Sequence, residues 1–322
     1  MLKRFLLFTQ EYYLGNPLID WIFQILRIDK TVLIGHTAML FFSLFVSVSF
    51  TLGSIIANKI DPLVITAARF ILAASLIWFV FSLNKITSFL DLKSPLRFLT
   101  LGGLISCYFV TMFEGLKTAD PIAMSAIFTL TPIIAGVSDF IISGRKLSFS
   151  VWVAVLLGGF GALLIIFEGK MENLLNFQIG YGEAVFFLGC TCHAIYAALI
   201  SKLNRGESAV SQTLGTLLAA SLILSLISVE KIIQTDWMSL PAIVWFSLIY
   251  LAVFATAASF FLLQFSARRL SSLKVMAYTY AVPFWVTGLE FSLFRVEIST
   301  HLIAGGSAIF FSLLFLLLNR EF

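Results

Sequence analysis

Charge is scarce in this chain. Of its 322 residues only 12 % are Asp, Glu, Lys or Arg, against about a quarter in an ordinary soluble domain. So few charges cannot cover the apolar surface of a water-soluble enzyme or a nucleic-acid-binding domain, and no nucleic-acid partner is expected. Histidine and cysteine are nearly as rare, at three residues each. Cys107, Cys190 and Cys192 lie inside apolar runs without CxxC spacing. Neither a disulfide framework nor a zinc site is expected, and the cysteines read as small packing residues. The sequence has no P-loop, HExxH, GxSxG or Rossmann fingerprint. That excludes ATP-driven work by this chain alone and several common catalytic chemistries, and no cofactor or metal is expected. It also lacks a TVGYG filter and the spaced arginines of a voltage sensor.

What the chain has instead is oil. Hydrophobic residues make up 60 %, phenylalanine alone occurs 34 times, and mean hydropathy is +1.00. This composition predicts an all-α integral membrane protein surrounded by lipid. A span needs about 20 apolar residues. Ten stretches qualify: 33–57, 62–83, 97–117, 121–142, 149–168, 180–203, 209–229, 240–264, 271–294 and 299–318. The breaks between them are short and polar, and none could hold a soluble domain. At the tight break before Pro121, proline suits the first turn of a new helix. The opening segment has an apolar stretch too short for a signal peptide. Within residues 1–32, Asp20, Gln24 and Arg27 share one narrow face of the stretch 18–28. That pattern predicts a short amphipathic helix lying in the membrane surface or docked on the bundle.

With both termini in the cytoplasm, Lys and Arg favour the cytoplasmic side by roughly three to one, the bias expected of short cytoplasmic loops. A multi-pass protein of the bacterial inner membrane is the expected setting. The two halves, 33–168 and 169–322, overlay at an offset that places Pro132 on Pro283, Asp139 on Glu290, Lys117 on Arg268, Ser148 on Ser299 and Gly161 on Ser312. A unit of five spans has its ends on opposite sides, so a tandem copy is inverted. Inverted repeats around a midplane site are a recurrent transporter design.

Several segments carry a family resemblance. They are DPLVITAARF from Asp61 to Phe70, GLKTAD from Gly115 to Asp120, Thr131-Pro132, SGRKLS from Ser143 to Ser148, and GGFG from Gly158 to Gly161. Together they resemble the EamA-type members of the drug/metabolite transporter superfamily, over nearly the whole chain after residue 32. The family usually places an acid after the Leu-Gly that ends helix four, whereas here the position is Arg145, and Val296 in the second half. The resemblance implies a ten-helix, 5+5 inverted-repeat secondary carrier of small metabolites.

The candidate functional residues are the polar ones inside the spans. Arg69 lies about 12 Å along its helix, near mid-bilayer, where an arginine is expensive and faces protein or a cavity. It suits a substrate carboxylate or phosphate, or alternatively a structural pair with an acid such as Glu114. Glu114 and Glu183 sit near the outer face and can bind a cation or proton, or simply be wetted. Asp139 and Glu290, related by the repeat, read as gates or as end-of-helix partners. His193 is central and offers a proton relay or a packed, hydrogen-bonded ring. Pro132 and Pro283 break backbone bonds in mid-span and predict bends in helices four and nine beside a cavity. Trp285 and Tyr280 flank Pro283 and are the first aromatic choices for a pocket wall, with Tyr278 and Tyr108 behind them. Small residues four apart (Ala154, Gly158 and Ala162; Cys190, Ala194 and Ala198; Ser43, Ser47 and Thr51) predict close helix packing.

The reading is a carrier of a small-molecule substrate, amino-acid-like and zwitterionic or cationic, working by alternating access with protons or exchange as drivers, and with membrane lipid as its surroundings. A membrane-embedded enzyme acting on lipid and a non-transporting receptor or scaffold are the alternatives.

Overall fold

The computed structural model describes residues 30–83, 94–144, 148–175 and 179–318. The amphipathic stretch 18–28 and Arg145 fall outside them. Ten helical crossings follow one another: α1 Lys30–Ile56, α2 Pro62–Leu83, α3 Leu96–Gly115, α4 in two segments, Pro121–Phe128 and Thr131–Ser143, and α5 Phe149–Ile166. After a short helix at Met171–Leu175 come α6 Tyr181–Leu203 and α7 Ala209–Gln234. Then follow α8 Ala242–Ala252 with Val253–Ala258 and Ser259–Ser266, α9 Ser272–Ala277 with Tyr278–Ala281 and Val282–Phe294, and α10 Thr300–Leu318. Nine of these are long and apolar enough to cross a bilayer among the described residues. The tenth, α9, is more polar because it carries Lys274, Tyr278, Thr279, Tyr280 and Glu290. The protein is therefore an all-α, multi-pass integral membrane protein.

Local chemistry starts the helices where expected. Asp120 accepts from the Ile122 amide, with Pro121 in the first turn of α4. Ser208 and Ser271 cap α7 and α9 by accepting from Ser211 and Lys274 amides. These caps satisfy N–H groups that a helix start leaves open. Gly144 ends α4 in the left-handed region at φ 68°, which costs glycine little. One boundary differs from the sequence reading: α7 continues through Glu230 to Gln234 rather than stopping near residue 229. Glu, Lys and Gln are good helix formers. Gln234 also donates to Glu230 one turn back, and Lys231 pairs with Asp61 at 2.7 Å.

The packing is symmetric between the halves. α3 lies against α6, and its repeat-mate α8 lies against α1; α5 packs on α10, and α2 on α7. The first segment of α4 meets the last segment of α9, while the last segment of α4 meets the first of α9. Exchanging the halves reproduces this pattern, which is what a 5+5 inverted repeat requires. Cross-links keep the two ends of the bundle in register. On the face where α1 begins, Ser266 donates to the Gly35 carbonyl and Arg97 to the Leu203 carbonyl. On the opposite face Asn58 donates to the Lys117 carbonyl.

All three small-residue ridges are buried or nearly so, as expected of spans that associate by close backbone approach. The Ala154 carbonyl accepts from Ser312 at 2.6 Å, and a Cβ added at Gly161 would lie 2.5 Å from the Gly305 carbonyl oxygen.

Candidate functional site

Three helices converge on one buried group. Arg69, on α2, has no exposed surface. Its Nε donates to Thr256 Oγ1 at 2.8 Å, and its Nη2 to the Ala255 carbonyl at 3.0 Å and the Leu251 carbonyl at 3.4 Å. Ala255 and Thr256 belong to the π-helical turn Val253–Ala258 of α8, and Leu251 lies just before it. A π-turn shifts backbone bonding to i→i+5 and leaves carbonyls poorly used. Thr256 also donates to Leu251 O at 2.7 Å, so hydroxyl and guanidinium together fill that gap. The guanidinium carbon sits 4.1 Å from the Phe109 ring centroid. The expected pairing with Glu114 does not occur: Glu114 is bound to Lys117 at 2.7 Å, one turn away on the outer end of α3.

Burying an unpaired ion costs several kcal/mol even after relaxation. Charge-assisted hydrogen bonds return about 1.5–3 kcal/mol each, and a desolvated cation–π contact about 2. The site is tolerable but not complete, because Arg69 Nη1 is buried without a hydrogen-bond partner.

Next to it lies an aromatic cluster. Tyr108 on α3 adjoins Phe109 at 4.6 Å and stacks on His193 of α6 at 4.6 Å. Phe128 stands 5.2 Å from His193, and Phe70 and Phe260 close the side towards Arg69. Tyr196 continues from His193 and accepts from Gln264 Nε2 at 3.1 Å. In this cluster Tyr108 OH, His193 Nδ1 and Gln264 Oε1 are also buried without partners. Unsatisfied buried polar atoms are rare and each costs about 1–3 kcal/mol. These four atoms, on helices from both halves, lie on or beside this run of aromatic contacts.

The remaining candidates sit elsewhere. Glu290 is buried and accepts from Thr51 Oγ1 at 2.7 Å, tying α9 to α1. Asp139, its repeat-mate, is buried near the far end of α4 and is engaged by a neighbouring group. Glu183 is half-exposed in the first turn of α6, with its carboxylate folded over Gly180, where negative charge favours a helix start. Tyr280 is buried and donates to the Val155 carbonyl at 3.2 Å. It seals α9 against α5 instead of facing an open pocket. Trp285 is partly exposed and donates to Ser43 at 3.2 Å, again between α9 and α1. Tyr278 meets His36 Nδ1 at 3.0 Å.

Both mid-span prolines break their helices, and protein groups fill the freed carbonyls. Pro132 cannot donate to Phe128 O, which accepts the Thr131 hydroxyl instead. Pro283 cannot donate to Thr279 O, which accepts the Val282 amide. Thr256, Tyr196 and Gln264 were not among the residues singled out in the sequence, and Thr51 was singled out only as a small packing residue. The first three are polar positions in apolar helices that carry other polar residues too, so nothing set them apart.

Comparison with known proteins follows this geometry. Residues 33–167 and 180–318 each match the model of the EamA-like transporter family. The chain is 24 % identical over 251 residues to a Bacillus subtilis (strain 168) protein named "Uncharacterized transporter YyaM", covering 77 % of this chain and 82 % of that protein. A solved structure described only as "Crystal structure of protein" superimposes with a TM-score of 0.68 at 17 % identity, covering 88 % of this chain and 95 % of the other. At that identity the likeness speaks to the fold alone.

Proposed function

The chain belongs to the EamA-like transporter family, and from that premise we propose a secondary carrier that moves a small zwitterionic, amino-acid-like metabolite by alternating access. The observation that carries the proposal is the partnerless Nη1 of Arg69, buried among aromatic rings and beside three further unpartnered polar atoms. A carboxylate on the substrate supplies the missing acceptor and the missing countercharge. Tyr108, His193 and Gln264 supply one donor and two acceptor-capable atoms for its other end. Of the two substrate classes open in the sequence, the zwitterion is favoured over the cation. Glu114 is committed to Lys117 and Glu290 to Thr51, so Arg69 is the fixed charge nearest the aromatic cluster.

In this reading the two halves, 33–168 and 169–322, rock about the cluster, opening it first to one side and then to the other. The protein sits in a bacterial inner membrane with both termini cytoplasmic. Transport runs on the substrate's gradient or on protons, with His193 as the relay in the second case.

A thermal-shift screen of metabolites on detergent-purified protein tests this, because a ligand that binds the folded state raises the melting temperature by mass action. Hits are then assayed for flux in proteoliposomes loaded with pyranine. Amino-acid-like zwitterions are expected among the hits, and at least one moves across the bilayer. A hit that binds but never crosses would leave a receptor, and a pH trace that stays flat during uptake removes the proton.

A further inference from the structure

We propose that Cys107 and Cys192 form a reversible, lipid-side oxidation site that staples the two halves of the bundle together. Composition and spacing presented these cysteines as packing residues, but the structure sets two of them against each other. Cys107 is on α3 of the first half and Cys192 on α6 of the second, and the two thiols neighbour one another across the seam. The helices that carry them are unusually close. At Gly189, one turn before Cys192, an added Cβ would lie 3.2 Å from the Tyr108 carbonyl oxygen and 3.3 Å from its Cα. The Tyr108–His193 stack at 4.6 Å joins the very next residues of the two helices. Backbones this near bring Cys side chains within the reach a disulfide requires.

The pair is also accessible. Both cysteines are half-buried, whereas Cys190 is fully buried. Around Cys192 the outward residues of α6 are Phe187 and Leu188, exposed and apolar. The seam therefore opens toward lipid, and an oxidant reaches it from the hydrocarbon phase. The oxidant is a lipid-soluble quinone. Two S–H bonds break and one S–S bond forms, and the quinone takes the two electrons and two protons to become hydroquinone. A dithiol reductant reverses the step by exchange. The bond itself does not depend on the proposed function. Its consequence for transport, fixing α3 against α6 so that the halves cannot rock, rests on the carrier reading.

The test uses full-length protein in detergent, as wild type, C107S, C192S and C190A, treated with decylubiquinone or with water-soluble ferricyanide. Digestion and mass spectrometry should find one peptide pair linked through residues 107 and 192. The link should form faster with the quinone, be absent from C107S and C192S, persist in C190A and disappear with dithiothreitol. The oxidised wild type should melt roughly 5 °C higher than the reduced protein, and amides of α3 and α6 beside the seam should exchange at least about tenfold more slowly. No 107–192 link, a link through Cys190, or equal speed with ferricyanide overturns the proposal. So does a full link that leaves melting and exchange unchanged. Because no substrate enters these readouts, their failure is distinct from failure of the metabolite screen.

Discussion

Thr131 gives its hydroxyl hydrogen to the carbonyl of Phe128, the acceptor that Pro132, four residues on, has no N–H to fill. The break in α4 is thus repaired from within the chain. The same repair at Pro283 uses a tightened backbone turn, in which the Val282 amide reaches Thr279 O. A membrane interior has no bulk water to satisfy such carbonyls, so a proline is tolerated there only with a local substitute donor. Replacing Thr131 with Val keeps the shape and removes the donor. T131V should lower stability by about 1–3 kcal/mol, the cost of an unsatisfied buried carbonyl, and thermal melting in detergent reads it. Thr131→Ser retains the donor and should stay within about 1 kcal/mol of wild type. Equal melting of the Val and wild-type proteins would mean that the carbonyl finds another partner.

Arg69 combines two roles that substitution can separate. It fills acceptors in and just before the π-turn, Leu251 O, Ala255 O and Thr256 Oγ1, and in the proposed carrier its Nη1 meets the substrate carboxylate. Arg69→Met removes both, leaving carbonyls of α8 bare, and should destabilise the protein by about 2–4 kcal/mol. Arg69→Lys restores a charge but not the planar fork that binds three acceptors and a carboxylate together. R69K should fold and melt closer to wild type, yet lose most of the ligand-induced melting shift of any carboxylate-bearing hit. A lysine variant that keeps the full shift removes Arg69 from the substrate site.

The fold was legible early because its causes are local. Apolar length, polar breaks, Pro121 after Asp120, and the Pro132–Pro283 and Asp139–Glu290 offsets all follow from the order of residues along the chain. The site was legible only in part. Arg69 and His193 stood out as polar groups deep in oil, but nothing near Arg69 along the chain named Thr256, which reaches it from α8, and Gln264, also on α8, meets Tyr196, one turn from His193 on α6. Glu114 was a reasonable partner for Arg69 by charge and approximate depth. Lys117, three residues away just past the end of α3, captures it at far smaller entropic cost. Tyr280 looked like a pocket wall because it flanks Pro283. Its hydroxyl instead reaches the Val155 carbonyl, an acceptor on α5 that no sequence offset reveals.

Contact between α5 and α10 depends on glycine more than on any side chain. Gly161 and Gly305 face each other so closely that a Cβ on either meets the other's carbonyl oxygen, at 2.5 and 2.6 Å. Backbone cannot yield as a flexible side chain can, so Gly161→Val should force the helices apart and cost about 1–3 kcal/mol. G305V should do the same. The double variant should cost less than the sum of the two, since one separation serves both. Melting curves of the three proteins decide, and strict additivity would show that the two glycines do not share a contact.

Arg97 and Glu207 form a buried ion pair on the face where α1 begins, joining α3 of the first half to the α6–α7 turn of the second. Arg97 also donates to the Leu203 carbonyl, and Glu207 accepts from the Arg205 amide at 2.8 Å. Burial alone would raise the Glu207 carboxyl, but the hydrogen bonds from Arg97 and the Arg205 amide outweigh it and hold the group below its ordinary value of 4.5. A carboxyl depressed in the fold contributes stability that is full above its unfolded value and is lost as pH falls through the folded one. Unfolding free energy should therefore be flat from pH 7 to about pH 5 on account of this group, and decline below 4.5. Glu207→Gln strands the arginine and should cost about 3–5 kcal/mol near neutrality, while losing this group's share of the acid decline. Replacing both partners with leucine removes the charges together and should cost far less than E207Q alone. If E207Q melts like wild type at pH 7, or keeps the same acid decline, the pair does not hold the two halves together on this face.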